Sequence, residues 1–145
     1  MLALLQRVSQ ASVVVAGETV GAIDRGLLVF LGVQRGDDQG RCEKLAAKVA
    51  NYRVFGDDQG RMNRSVKDIG GGVLVVSQTP LAADTRKGLR PSFTPAAEPA
   101  EAERLYDYFT ECVRRETGHV ATGRFGADMR VSLCNDGPVT FLLEG

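Results

Sequence analysis

The sequence contains few of the side chains from which enzymes build acid–base, nucleophilic or metal centres. Its one histidine, His119, has no Asp or Glu at a fixed offset that would orient it as a general base. The three cysteines, Cys42, Cys112 and Cys134, show no metal-ligand spacing, and Cys134 lies in an apolar stretch typical of a core thiol. GxGxxG and P-loop patterns are absent. The glycines at residues 70–72 lead into a predicted strand and not a helix, which is the wrong context for binding a phosphate. We therefore expect no metal or cofactor, and any catalysis must use backbone groups or the substrate itself.

The sequence also lacks a net charge, a disulfide framework and a long apolar run. Lys plus Arg and Asp plus Glu both number 18, so no overall basic field attracts nucleic acid, and an RNA contact requires a local patch. Three cysteines cannot all pair in disulfides within one chain, so their odd number favours a protein of a reducing compartment. The longest apolar run, residues 27–31, is far too short to span a membrane, and no basic segment precedes the apolar N-terminus. These features predict a cytoplasmic protein without membrane attachment.

The remaining pattern is that of one globular domain, with 43% hydrophobic and 25% charged residues in a chain of 145. A first helix is predicted after Asp37-Asp38, which can cap it, and a second over residues 99–117, with Gly118 at its end. The first helix has an apolar stripe at Cys42, Leu45, Ala46 and Val49. Apolar alternation or continuous apolar sequence predicts strands at residues 2–8, 12–16, 19–23, 27–33, 52–55, 71–78 and 119–122. The fold class is therefore α/β.

The C-terminal stretch, residues 128–143, has strand-like sequence on both sides of Asn135-Asp136-Gly137-Pro138. These four residues predict a tight turn and hence a hairpin. Because proline has no N–H to donate, the turn leaves backbone groups unpaired, and its carbonyls could point away from the sheet. A Gly-Pro bond adopts the cis form at a cost of only about 0.5–1 kcal/mol. Such a turn could present rigid carbonyls to a ligand, and an ordinary hairpin with a trans proline is the alternative.

Residues 84–99 combine three of the five prolines with the cations Arg86, Lys87 and Arg90. A long irregular segment inside a compact domain is usually functional or disordered. Guanidinium and ammonium groups bind phosphate, so this cluster is a candidate RNA-binding site. A solvated loop without a ligand is the alternative.

Several uncommon strings run through the whole chain. They are Arg7-Val8, Ala11-Ser12-Val13, Ser77-Gln78, Ala83-Asp84-Thr85, Lys87-Gly88, Arg90-Pro91-Ser92-Phe93, TGRFGADM at residues 122–129 and NDGPVT at residues 135–140. In this order they resemble the D-aminoacyl-tRNA deacylase family. The resemblance implies a three-layer α/β/β fold of mixed β-sheets with two main helices, formed by residues 1–145 as a single domain. It also implies a homodimer without metal or cofactor, whose active sites are shared across subunits.

The resemblance further implies hydrolysis of the ester between a D-amino acid, or glycine, and the terminal adenosine of tRNA, so the aminoacyl-tRNA acceptor end is the expected partner. Gly137-Pro138 would be a cis dipeptide that enters the partner subunit's site, where its carbonyls accept from the substrate amino group and exclude an L side chain. The resemblance also implies roles for six other residues. Ser77, Gln78 and Thr79 would line the side of the site that holds the adenosine and the ester. Phe125 and Met129 would form the pocket wall, and Arg7 would brace the dipeptide.

Two positions depart from the family, whose first motif usually reads Ser-Gln-Phe-Thr, because this sequence has Thr79 and Pro80 after Ser77-Gln78. The threonine hydroxyl is lost or shifted by one residue, and in a strand such a shift turns the side chain to the other face. Pro80 also lacks an N–H for an oxyanion. We expect the hydroxyl to be dispensable, with the ribose 2′-OH of the substrate activating water. An impaired enzyme and a local bulge that returns Thr79 to the site are alternatives, as is a non-catalytic module that binds an RNA end or a small ligand.

Overall fold

The computed structural model describes all 145 residues, which form two α-helices, one short 3₁₀ helix and eight strands. In chain order the elements are β1 (Leu2–Val15), β2 (Glu18–Ile23), β3 (Gly26–Gly32), α1 (Gln39–Asn51), β4 (Phe55–Gly56), β5 (Met62–Arg64), β6 (Gly72–Ser77), the 3₁₀ helix (Thr79–Ala82), α2 (Pro99–Thr117), β7 (Val120–Thr122) and β8 (Arg130–Glu144). Neither α-helix combines the length and the apolar character that crossing a bilayer requires.

The main sheet is built around β1, which has partners along both of its edges. On one edge, β3 and β2 pair antiparallel with successive halves of β1, and on the other edge β8 pairs antiparallel over nearly the whole length. Beyond β3, the sheet continues with β6 and β7 as parallel strands. The carboxyl ends of parallel strands meet at one edge of a sheet, so β3, β6 and β7 end beside one another at Gly32, Ser77 and Thr122.

The strands predicted separately at residues 2–8 and 12–16 are one continuous strand, β1. Ser9 and Gln10 interrupt the apolar alternation in the sequence, which is why two strands were expected. In the structure the register against β8 shifts between Val8 and Gln10, so a bulge keeps both halves of β1 in the same ladder.

Both predicted helices are confirmed, and local signals explain where they begin and end. Asp38 caps α1 by accepting a hydrogen bond from the backbone N–H of Arg41 at 2.9 Å. The second helix, α2, ends at Gly118, whose φ of 76° is the left-handed conformation that favours glycine. The buried faces of both helices, including Leu45 and Phe109, pack on the same side of the sheet.

Two separate cores lie on the two faces of the central sheet. Successive side chains of β3 point to opposite faces of the sheet. Leu27 and Val29 therefore belong to the core under the helices, whereas Leu28 belongs to a smaller core that is made only of strand residues. The smaller core is formed by Val8, Ala11, Val13, Val15, Ile23, Leu28, Leu74 and Val76, so β2 and the second half of β1 cover the face away from the helices. The three-layer α/β/β arrangement is therefore confirmed.

The predicted C-terminal hairpin is wrong, because β8 continues through this segment without reversing direction. A single residue of β1, Arg7, stands opposite residues 136–139, since the flanking pairs are Gln6 with Thr140 and Val8 with Asn135. Residues 136–139, hereafter the β8 bulge, therefore protrude from a strand that stays paired on both sides. Asp, Gly and Pro are common where the hydrogen bonds between strands are interrupted, which happens in a bulge as well as in a turn. The sequence pattern alone therefore does not distinguish a bulge from a turn.

Candidate active site

The segment after β6 lies at the edge where the three parallel strands end. Ser77 is the half-buried last residue of β6, and the backbone N–H of Gln78 donates to the carbonyl of Leu31 at 2.8 Å. The 3₁₀ helix that follows packs closely on the end of β3 because Gly32 has no side chain. A Cβ on Gly32 would lie 3.2 Å from the Cβ of Leu81, which is tighter than ordinary contact. Gly32 therefore sets how closely this segment approaches β3.

Thr79 and Pro80 begin a 3₁₀ helix and do not continue the strand. Alternation between faces holds only in strands, so the expectation that a one-residue shift turns the Thr79 hydroxyl away does not apply here. Thr79 is exposed to solvent. The missing N–H of Pro80 leaves no gap in the helix, since the first N–H groups of a helix have no intrahelical partner.

The two residues expected in the pocket wall lie near the loop after β7, and they face different cores. The ring of Phe125 packs near Tyr106 of α2, with 5.9 Å between ring centroids, beside the core under the helices. Met129 packs against the smaller core, and its sulfur accepts from the backbone N–H of Arg124 at 3.4 Å. A Cβ on Gly123 would lie 2.6 Å from the same sulfur, so Met129 supports the loop from beneath. The joint role of Phe125 and Met129 as a pocket wall stays a prediction.

The β8 bulge contains the cis Gly137–Pro138 peptide bond that the resemblance implies, and both residues are exposed. Arg7 lies against this bulge, where its Nε donates to the carbonyl of Asp136 at 2.8 Å and its Nη1 donates to the carbonyl of Val54 at 2.6 Å. The Arg7 guanidinium also lies 3.4 Å from the Asp136 carboxylate. Arg7 thus ties the bulge to the segment before β4. The Asp136 carbonyl, expected to be open to a ligand, is occupied by Arg7.

Within one chain, the β8 bulge and the segment after β6 lie at opposite ends of the sheet. Arg7, opposite the bulge, pairs with Leu27 near the start of β3, whereas Ser77 pairs with Leu31 near its end. At about 3.3 Å per residue along a strand and about 4.8 Å between strands, four residues and three strand spacings amount to roughly 13 Å and roughly 14 Å. A small ligand held at Ser77 therefore does not reach the bulge of the same chain.

The loop between Asp84 and Ser92, hereafter the basic loop, is closed by two backbone hydrogen bonds between these residues, of 2.8 and 2.9 Å. Inside it, the Asp84 carboxylate accepts from Nε and Nη2 of Arg86 at 2.9 and 2.8 Å. These hydrogen bonds lower the pKa of Asp84 to about 2. The charge of Arg86 is thus compensated, whereas Lys87 and Arg90 take part in no ion pair.

The remaining candidate side chains are not gathered at either segment. The carbonyl of His119 accepts from the backbone N–H of Val73 at the start of β6, so His119 lies at the end of the sheet opposite to Ser77. The expectation that Cys134 is a core thiol is wrong, because Cys134 is exposed on β8, whereas Cys42 is buried. Burial raises the pKa of the Cys42 thiol to about 12, so it stays protonated and unreactive at neutral pH.

Comparison with known proteins places the whole chain in a family. The model of the D-Tyr-tRNA(Tyr) deacylase family matches residues 4–144 of the chain. The chain belongs to this family. Curated proteins named D-aminoacyl-tRNA deacylase from Stutzerimonas stutzeri and Aeromonas hydrophila are 66% and 60% identical to it over 144 residues, with 99% of each chain covered. The resemblance found in the sequence is therefore confirmed.

Solved structures give the same fold for this deacylase-family chain. One described as c-Myc DNA unwinding element binding protein matches with a TM-score of 0.95 and 41% identity, covering 100% of this chain and 99% of the other. Another, described as a probable eukaryotic D-amino acid tRNA deacylase, matches with a TM-score of 0.84 over 98% and 97% of the two chains. At 18% identity, the second match shows the fold alone.

Two residues that shape these segments were not predicted from the sequence. Gly32 controls the approach of the 3₁₀ helix, and the side chain of Asn135 donates hydrogen bonds across the β8 bulge. Asn135 lies in the string NDGPVT, where the sequence alone indicates a turn former. The role of Gly32 had no local signal, because it depends on residues that follow a different strand.

Proposed function

We propose that this member of the deacylase family hydrolyses the ester bond between a D-amino acid and the terminal adenosine of tRNA, and that it also releases glycine. The observation that supports this most strongly is the match to curated D-aminoacyl-tRNA deacylases at 55–66% identity over 99% of the chain. Release of the D-amino acid would return the tRNA to use and keep D-residues out of protein synthesis, which enforces homochirality.

The proposed site recognises the aminoacyl group through backbone atoms. Ser77, Gln78 and Thr79 contact the adenosine and the ester, and the β8 bulge presents the Gly137 carbonyl to the substrate amino group. A carbonyl that lies against the α-carbon leaves room for a hydrogen atom and none for an L side chain. Because this recognition makes no contact with a D side chain, one site accepts many D-amino acids as well as glycine.

No side chain of this site is assigned as a general base. The ribose 2′-OH lies next to the ester in the substrate, so it activates the attacking water in this proposal. The backbone N–H of Thr79, at the first position of the 3₁₀ helix, has no intrahelical partner and can donate to the oxyanion that forms. The proposal therefore does not require the family threonine hydroxyl at position 80.

The proposed site forms between two copies of the chain. The bulge and the segment after β6 are too far apart within one chain to hold one substrate, so Gly137 and Pro138 come from the partner subunit. Two features of β8 support pairing with a second copy. Its outer edge pairs with no strand of this chain over 15 residues, and Leu133 and Leu142 are 37% and 57% exposed. A long unpaired edge is a ready template for pairing with another chain, and apolar side chains along it would be removed from water by that pairing.

The acceptor end of the tRNA would lie on the basic loop. Lys87 and Arg90 contact its phosphates, and Arg86 contributes less because Asp84 compensates its charge. With a net charge of zero, the chain depends on this local patch for the contact. Charged tRNA is the substrate, so we place the protein in the cytoplasm.

Deacylation of D-Tyr-tRNA, L-Tyr-tRNA and Gly-tRNA by the purified protein tests the proposal. We expect rapid release of D-Tyr and glycine, and release of L-Tyr near the spontaneous rate. Binding of all three tRNAs without accelerated release of D-Tyr would overturn the proposal and would support the module that binds an RNA end without turnover.

A further inference from the structure

We propose that Asn135 is a positioning residue, which sets the shape of the β8 bulge and thereby the selectivity of the site for D over L substrates. The proposal rests on the proposed function of the bulge as the chiral filter. Asn135 does not contact substrate in this proposal, so its effect passes through Gly137.

The side chain of Asn135 lies across the base of the bulge and links its two ends. Nδ2 donates to the carbonyl of Val139 at 3.0 Å and to the carbonyl of Arg7 at 3.2 Å. One amide group thus joins the residue before the bulge to its last residue, and joins both to the facing strand. Arg7 holds the bulge at a different point, the carbonyl of Asp136.

The same side chain, together with the backbone of Val139, makes glycine necessary at position 137. A Cβ on Gly137 would overlap both Oδ1 of Asn135 and the backbone nitrogen of Val139. The amide therefore packs directly against the backbone of the dipeptide. A change in its position moves Gly137, and with it the carbonyl that faces the substrate.

Two substitutions separate the hydrogen bonds of Asn135 from its volume. Asn135→Asp keeps the shape of the side chain, but a carboxylate has no N–H to donate to Val139 and Arg7. Asn135→Ala removes the whole amide and leaves the bulge unsupported at its base. In both variants we expect kcat/KM for the D substrate to fall about tenfold or more, because a displacement of about 1 Å in a site costs up to 10²-fold. The ratio of D to L rates should also fall, because a mobile bulge no longer excludes the L side chain.

Gln6→Ala is the matched control. Its Nε2 donates to Oγ1 of Thr140 at 3.1 Å, so this variant removes an exposed hydrogen bond between the same two strands just outside the bulge. We expect it to keep the D rate and the D to L ratio within about twofold of wild type, as for most surface substitutions.

The experiment measures kcat/KM on D-Tyr-tRNA and L-Tyr-tRNA for the wild type and the three variants, together with amide hydrogen exchange over the bulge. The expected result is a lower D to L ratio and faster exchange in both Asn135 variants only. An unchanged ratio would overturn the proposal, even where both rates fall together, because that pattern indicates a structural role alone. If Asn135→Ala fails to fold, Asn135→Asp decides. If the wild type shows no selectivity for D-Tyr-tRNA, the proposed function fails. Unchanged hydrogen exchange over the bulge in both Asn135 variants would overturn the role of Asn135 in shaping the bulge, whatever the rates are.

Discussion

The substitution Arg7→Lys keeps a positive charge at the β8 bulge but removes the fork of donors that holds it. In the structure, Nε donates to the carbonyl of Asp136 at 2.8 Å, and Nη1 donates to the carbonyl of Val54 at 2.6 Å. A lysine ammonium is one compact donor group, so it does not hold both carbonyls in these directions. The Arg7 side chain is only 18% exposed, so water replaces the lost hydrogen bond poorly.

The magnitude follows from these two hydrogen bonds. A hydrogen bond to a charged group contributes about 1.5–3 kcal/mol, and we expect lysine to retain one of the two. The variant should therefore lose about 2 kcal/mol of unfolding free energy, which lowers Tm by roughly 4–8 °C for a chain of this size. The rate on D-Tyr-tRNA should fall about tenfold or more, because the bulge is displaced from the substrate.

Thermal unfolding and steady-state deacylation of D-Tyr-tRNA measure the two effects. Gln6→Ala serves as the control, because Gln6 is the neighbour of Arg7 in β1 and its side chain bonds to Thr140, outside the bulge. An Arg7→Lys protein with the melting temperature and rate of the wild type would refute the role of Arg7 in holding the bulge.

Three further predictions concern other parts of the molecule. Gly32→Ala should reduce kcat while circular dichroism shows a normal fold. Gly26→Ala should not fold, because its Cβ would overlap the backbone of β6. The prediction is contradicted if both variants fold with normal activity or if both fail to fold. Replacing Lys87 and Arg90 together with Ala should weaken tRNA binding and flatten its salt dependence, because fewer counterions are released. If the salt dependence of tRNA binding is unchanged, the basic loop is exposed to solvent and does not contact the tRNA. His119→Ala should keep the deacylation rate within a few-fold, and a loss on the order of a thousandfold would restore a general base.

The helices were predictable because their signals are local. An apolar stripe at helical spacing, a cap at Asp38 and a left-handed glycine at Gly118 are read from a few consecutive residues. The β8 bulge was not predictable in the same way. Whether residues 135–138 reverse the chain or protrude from a strand depends on β1, which lies more than a hundred residues earlier. The strand β1 pairs with β8 both before and after these residues, so the chain does not reverse.

The candidate site shows the same division. The resemblance supplied Arg7 and Gly137-Pro138, and the structure brings Arg7 onto the bulge. The resemblance includes Asn135 in the string NDGPVT but gives it no role, because its hydrogen bonds to Arg7 and Val139 exist only in the folded chain. The sequence also does not predict the 3₁₀ helix at Thr79, because the apolar pattern before it is that of a strand and gives no sign that the strand ends at Ser77.

Mixing two inactive variants tests the central claim most directly, namely that this chain is a deacylase whose site is shared by two copies. Gln78→Ala disables the segment after β6, and Gly137→Ala disables the β8 bulge, so each protein alone should leave D-Tyr-tRNA intact. After the two are unfolded and refolded together, activity should return to about a quarter of the wild-type rate, since half of the dimers are mixed and each mixed dimer has one intact site. A mixture that stays inactive, although mixed dimers form, would contradict the shared site.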